Sequence, residues 1–299
     1  MEHSAHERCV AVGIIPRPAV SIAAAPAYPL STATFTVGPP SKSNGCRVFR
    51  TDLPEFPPMD ERAVLWRYMD FSRLISLLED RALYFARSDL MGDPWEGALS
   101  HVDQAMEEEP YAGTGVTAGQ VARRLRPMVY MNCWHASEHE SAAMWGLYQR
   151  DGRGVALRTT WGNLTSSLRT TWPIRGGAVR YVNYRETVIP STSLFSTYMH
   201  KRESFSHEKE ARLLLWSVEG GGPREFEETQ DEDEGTVMVP LGADPVGYAV
   251  PVDVDVLAPR IYVAPEAPGW YSELLSKVFA RYEVDWPLQQ SDLARDPVW

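Results

Sequence analysis

Apolar positions start to recur regularly near Ala63. Val64-Leu65-Trp66-Arg67-Tyr68 reads as a short strand. Asp70 offers an N-cap side chain, and Phe71, Leu74, Ile75 and Leu78 follow at helical spacing, predicting an amphipathic helix to about Asp80. Ala82-Leu83-Tyr84-Phe85-Ala86 reads as a second strand and Met128 to Trp134 as a third. Further strands are predicted at Val155 to Arg158, Val179 to Val182, Ala211 to Val218 and within Val256 to Val263, with short ones at Val237 to Pro240 and Tyr248 to Val252. Helices are predicted within 100–127, over Glu140 to Tyr148, over 192–203 and over Trp270 to Tyr282, where Leu274, Leu275, Val278 and Phe279 carry the spacing. Gly92-Asp93-Pro94-Trp95-Glu96 is a turn by its Gly and Pro content. Strands and helices mix without regular βαβ alternation. The predicted class is therefore α+β, a single mixed, mainly antiparallel sheet with flanking helices.

Two stretches lack this patterning. Residues 1–48 are rich in Pro, Ala, Ser and Thr with no sustained period, which predicts a disordered or loosely ordered extension before one α+β domain over 49–299. Residues 219–236 hold Gly220-Gly221-Gly222 and the acidic run Glu225 to Glu234, which predicts a mobile surface loop.

Charge and composition narrow the function classes. The net charge of −11 argues against broad nucleic-acid binding. No run approaches the roughly 18–20 apolar residues of a membrane-spanning helix, so no membrane partner is expected. Cys9, Cys46 and Cys133 are odd in number and far apart, which implies no disulfide framework and fits a cytoplasmic protein.

The densest chemistry lies in Lys201-Arg202-Glu203-Ser204-Phe205-Ser206-His207-Glu208-Lys209-Glu210-Ala211-Arg212. On a strand, Glu208 and Glu210 share a face. Two carboxylates so close need flanking cations such as Lys201 and Arg212, or a reaction to serve. One Glu would then act as general base or hold a ribose hydroxyl while the other steadies charge. Arg67, between Trp66 and Tyr68, is suited to bidentate phosphate binding, with the aromatics available to stack on a base or ribose. Asp93 and Glu96 are either caps of a structural turn or carboxylates closing a polar cleft. Met144, Trp145 and Tyr148 read first as core, with Trp145 the alternative cleft wall. Cys133, His135 and His139 fall short of the four ligands of structural zinc, and no metal is expected.

Taken in order, these pieces resemble a widely distributed prokaryotic family known as domain of unknown function 2971. The resemblance runs from Leu65-Trp66-Arg67-Tyr68 through Leu83-Tyr84-Phe85-Ala86, Asp93-Pro94-Trp95-Glu96, Met144-Trp145-Gly146-Leu147-Tyr148 and Gly152-Arg153-Gly154-Val155-Ala156-Leu157. It continues with Val179-Arg180-Tyr181, then Lys201 with Phe205, Glu208, Glu210 and Arg212, then Arg260-Ile261-Tyr262-Val263-Ala264-Pro265, and closes near Gln290-Ser291-Asp292-Leu293. Cys133-Trp134-His135 departs from the family's usual Cys-Phe-Ser, and Phe205 from its usual Trp. An Arg on a first strand, an aromatic second strand and a late Glu-x-Glu also resemble the ADP-ribosyltransferase superfamily. That likeness implies an NAD-consuming transferase in a toxin or defence setting. Arg67 would hold the pyrophosphate or ribose, Tyr84 would flank the nicotinamide, and Glu210 or Glu208 would bind the ribose hydroxyl. Tyr68, Lys201 and Arg212 would complete the nucleotide site. Its macromolecular target is unspecified. Two other readings stand beside it. One is a non-enzymatic ligand- or partner-binding module. The other is a metal-dependent nuclease or phosphodiesterase using Asp93, Glu96, Glu208 and Glu210.

Overall fold

The computed structural model describes residues 49–50, 53, 55–106, 117–148, 152–190, 193, 195–218, 222–223, 226–231, 235–240, 245–257 and 259–297. The extension predicted over 1–48 lies outside them. Along the chain come β1 (Phe49–Arg50), β2 (Val64–Met69), α1 (Phe71–Asp80), β3 (Ala82–Arg87), α2 (His101–Met106), α3 (Ala118–Leu125), β4 (Val129–Ala136) and α4 (Ala142–Tyr148). There follow β5 (Val155–Thr160), α5 (Trp161–Ser167), β6 (Ile174–Ala178), β7 (Arg180–Val182), β8 (His200–Arg202), β9 (Glu210–Trp216), β10 (Phe226–Asp231), β11 (Gly235–Pro240), β12 (Gly247–Pro251), α6 (Val254–Leu257), β13 (Arg260–Val263), α7 (Gly269–Arg281) and β14 (Leu288–Gln290). Among the described residues no helix is long and apolar enough to cross a membrane.

The main sheet runs β1-β6-β9-β4-β2-β5-β13-β14, with β3 joined to β4 and β12 to β3. Only β1–β6 and β13–β14 are parallel within it, so the fold is α+β with a mixed, mainly antiparallel sheet. Side-chain alternation sorts the strands' two faces. Leu213 and Leu215 pack with Leu65, Phe85 and Leu157 beneath Leu74 and Leu78 of α1, Leu164 of α5, and Leu275 and Phe279 of α7. Leu214 points the other way, to Phe56, Val129, Met131 and Met199. Asp70 caps α1 as predicted, accepting from Arg73 N at 2.8 Å.

The feature that positions the site is a fork at β4. One edge of β4 pairs with β9 along its whole length, from Val129 opposite Trp216 to His135 opposite Glu210. The other edge pairs with β3 at its start, through Met131, and with β2 at its end, through His135. Between those two points Asn132, Cys133 and Trp134 have no strand on that side. Buried backbone groups need partners, and here side chains provide them. Arg67 Nη1 donates to the Cys133 carbonyl at 3.1 Å. Asn132 Nδ2 donates to the Tyr84 carbonyl at 2.9 Å, while Trp134 Nε1 donates to Asn132 Oδ1 at 2.7 Å. The Cys133 and Tyr84 carbonyls at the fork are thus satisfied without a further strand.

Two predicted elements differ. The helix expected over 192–203 is one 3-10 turn, Ser196–Met199, followed by β8. Strand pairing of His200–Arg202 with Arg180–Val182 takes the chain away from a helix. The acidic segment expected as a loop contains β10, paired antiparallel with β11. The Thr236-Val237-Met238-Val239 stretch favours strand, and a partner strand satisfies its backbone despite the charge.

Gly176 of β6 tests the tightness of this packing. A Cβ there would lie 2.4 Å from the Arg212 carbonyl oxygen and 2.9 Å from the Trp161 ring. Gly176→Ala is expected to lower unfolding free energy by about 1–3 kcal/mol in urea denaturation.

Candidate functional site

The diverging strands leave a cleft of about 730 Å³, within the range of small-molecule sites. Of the sequence-predicted residues, Arg67, Tyr68, Tyr84, Asp93, Glu96, Lys201, Glu208 and Glu210 all line it. Arg212 and Trp145 do not line it. Trp145 is buried against Tyr68, with its ring nitrogen donating to Glu140 Oε2 at 2.9 Å, so it belongs to the core beneath α4. Arg212 is fully buried behind the cleft, where it organises the carboxylates rather than meeting a ligand.

The two glutamates reach the cleft by a route the strand argument does not describe. Glu208 ends a 3-10 helix, Glu203–Glu208, and is not on a strand. Lys209 then turns through the left-handed region at φ 40°, and only at Glu210 does β9 begin. The Tyr181 hydroxyl accepts from Glu210 N at 2.7 Å and pins that start. Both carboxylates then converge on one ammonium. Lys201 Nζ lies 2.5 Å from Glu208 Oε2 and 3.3 Å from Glu210 Oε2, with Glu96 Oε1 at 3.4 Å.

Behind this trio, Arg212 uses every donor it has. Nε meets Glu210 Oε1 at 2.8 Å, and Nη2 meets Glu210 Oε2 at 2.9 Å and Glu96 Oε1 at 2.7 Å. Nη1 donates to Glu96 Oε2 at 2.8 Å and to the Tyr198 carbonyl at 2.7 Å. Such saturation is what makes a buried guanidinium tolerable. Asp93 is likewise occupied, accepting from Arg202 Nη2 at 2.8 Å and capping its own turn through Trp95 N at 3.0 Å. The turn depends on Gly97, at φ 71°, whose missing Cβ leaves room for the Tyr198 ring.

The electrostatics follow from this wiring. Burial alone would raise the Glu210 carboxyl, but Arg212 and Lys201 outweigh it and hold the pKa down at about 2. Burial opposes the Lys201 charge, yet Glu210 and Glu96 raise its pKa above the ordinary value. Burial, then the nearby Glu210 carboxylate, push the Cys133 thiol well up, so it sits in the cleft as an un-ionised group.

The cleft residues divide into those already engaged and those left open. Trp66 donates to the Ser137 carbonyl at 2.8 Å, the Tyr68 hydroxyl accepts from Ser141 N at 2.7 Å, and His135 Nδ1 meets the Glu208 carbonyl at 2.5 Å. Arg67 differs. It lies over the Trp134 ring at 5.6 Å and makes no ion pair among the described residues. Burial lowers its pKa, and the side chains acting on it are Cys133, Tyr148 and Arg73. Tyr84 is 48% exposed and Tyr148 44%, and neither phenol has a hydrogen-bond or ring partner among the described residues. Glu208 is 21% exposed, and its Oε1 is unpaired among the described residues.

Tyr148 is the residue that the sequence reading placed in the core. Met144 and Trp145, one turn earlier, are buried. Tyr148 ends α4, where the helix runs past the core and over the cleft, and burial and then Cys133 and Glu208 raise its pKa. Its place at the helix terminus is the one signal in the sequence. Among the described residues no group of three or more His, Cys, Asp or Glu is arranged to hold a metal ion, and Arg212 occupies both oxygens of Glu96 and of Glu210.

Two outcomes test the cluster. Arg212→Leu leaves Glu96 and Glu210 buried without their main partner and is expected to cost about 3–5 kcal/mol in chemical denaturation. The folded Glu210 pKa of about 2 lies below the ordinary 4.5, so the unfolded chain binds the extra proton. Its stabilisation is complete above pH 4.5 and is lost as pH falls towards 2, amounting to on the order of 3 kcal/mol. Urea titrations across that window are expected to lose this component in Glu210→Gln. Neither a scan against protein-family models nor a search of curated proteins finds a match for this chain.

Proposed function

We propose that the cleft binds a nucleotide and that the protein consumes NAD, transferring ADP-ribose or cleaving the dinucleotide. The observation that carries this reading is Arg67, a cation without a carboxylate partner among the described residues, in the same cleft as the Lys201-bridged glutamates. A partly buried, unpaired guanidinium favours an anion, and its planar fork suits phosphate. Tyr84 and Tyr148 offer unengaged aromatic surface for a base or nicotinamide ring. Around Lys201, Glu96, Glu208 and Glu210 carry three negative charges against the two positive charges of Lys201 and Arg212. The excess negative charge favours a ligand with a cationic end, as oxidised NAD has in its nicotinamide.

The reaction would use that asymmetry. As nicotinamide departs, positive charge develops at the ribose C1′, and a fixed carboxylate nearby lowers the barrier electrostatically. Glu208 is the better group for this role than Glu210. Both Glu210 oxygens are bonded to Arg212, whereas Glu208 keeps one oxygen open. The ADP-ribosyltransferase-like fold belongs to the same proposal, supported by an Arg and late glutamates brought from segments remote in sequence to one cleft.

The closed Arg212 network supports a second reading, a nucleotide-binding module without turnover. The two separate cleanly. Purified protein is expected to show a thermal-stability rise with NAD, reduced more than about tenfold in affinity by Arg67→Met. Glu208→Gln is expected to keep NAD binding but slow nicotinamide release by about 10²–10³-fold. Binding without any nicotinamide release, alone or with cell extract as acceptor, selects the binding module. Absence of NAD binding sinks the proposal.

A further inference from the structure

Arg212 anchors Glu96 and Glu210, but it makes no bond to Glu208. Among the described residues the one ion-pair partner of Glu208 is Lys201. The ammonium is itself caged. Three carboxylates surround it, and the Phe205 ring lies 4.8 Å away on a further side. Its backbone is fixed by β8, with Lys201 opposite Tyr181 in the parallel ladder to β7. The other charged or titratable groups around Glu208 are Lys209 and His207 beside it, His135 on its carbonyl, and Tyr148 and Tyr181, which feel its charge. Among the described residues none of these bonds its carboxylate.

We infer that Lys201 is the positioning residue of the site, holding Glu208 Oε2 so that Oε1 faces the cleft beside Glu210. An ammonium has three donors spread about one nitrogen, which matches three carboxylate oxygens arriving from three elements. A guanidinium presents a flat fork and cannot meet them together. The requirement is therefore for lysine and not merely for positive charge. Two carboxylates converging without that nitrogen would repel, and Glu208, the one without a second anchor, is the one that would leave.

The kinetic arm of the test rests on the NAD reading above, and the structural arm does not. Crystal structures of Lys201→Met and Lys201→Arg are expected to show the Glu208 carboxylate displaced from the cleft while Glu96 and Glu210 stay on Arg212. Nicotinamide release is expected to fall about 10²-fold in kcat in both variants, with KM for NAD changed less than threefold, because displacement by about an ångström costs that much. Lys201→Arg retains the charge, so it provides the folded variant if Lys201→Met does not fold. Glu208 found in its original place in either variant overturns the inference. So does a raised KM with unchanged kcat, which would make Lys201 a ligand contact. No release by the wild-type protein overturns the NAD reading and leaves the structures to decide the role of Lys201.

Discussion

The structure depends on one buried charge. Arg212 lies on β9, fully inaccessible, and a guanidinium there is stable only while each donor has an acceptor. Meeting that condition brings together parts of the chain that are remote in sequence. Glu96, 116 residues from Arg212, must sit in a tight turn. The Tyr198 carbonyl must face inward, which suits a single 3-10 turn followed by a strand better than a continued helix. Glu210, two residues before Arg212 on the same strand face, completes the set. Once Glu96 and Glu210 are drawn in, Lys201 has a site to occupy, and Glu208 follows it. The cluster is a chain of compensations that begins at the deepest charge and ends at the most exposed carboxylate.

The fork in the sheet is the second constraint, and it works with the first. A strand edge with missing neighbours normally invites another strand. In this protein Arg67 and Asn132 supply hydrogen bonds in place of the absent strand. Arg67 is thereby held over Trp134, without a carboxylate partner among the described residues, in the same cleft as the glutamates. Tyr84 comes from the other branch of the fork, where Gly247 of β12 leaves room for its ring. A rigid scaffold with engaged tryptophans, Tyr68 and His135 surrounds a few side chains that have unused bonding capacity. That contrast, more than the cleft's size, marks where a ligand would bind.

Much of this was legible beforehand, for identifiable reasons. The α1 helix announced itself through Asp70 and a clean apolar face. The class was readable because period-two and helical patterns alternate irregularly. Arg67, Tyr84, Asp93, Glu96, Lys201, Glu208 and Glu210 stood out because charged or aromatic residues embedded in apolar strands or tight turns need partners, and all of them reach the cleft. Arg212 stood out for the same reason but has its needs met internally. Trp145 stays in the core, its first reading, whereas Tyr148, read the same way, reaches the cleft, since helical spacing says which residues share a face but not where the neighbouring core stops.

What the sequence determined by itself is therefore a partial inventory: many of the strands and helices, though not β6, β8, β10 or α5, and which charged groups must be compensated. Those follow from local periodicity and from the cost of burying charge, both properties of short stretches. Which cation meets which carboxylate was decided by tertiary structure alone. Arg212, Lys201 and Arg202 are near neighbours in sequence and chemically interchangeable at that level. Only the position of the Asp93–Gly97 turn, the left-handed step at Lys209 and the fork at β4 assign Glu96 and Glu210 to Arg212, Glu208 to Lys201 and Asp93 to Arg202, leaving Arg67 free of a carboxylate partner among the described residues. Ion pairing selects by distance over a few ångströms, and distances between remote segments exist only once the chain has folded.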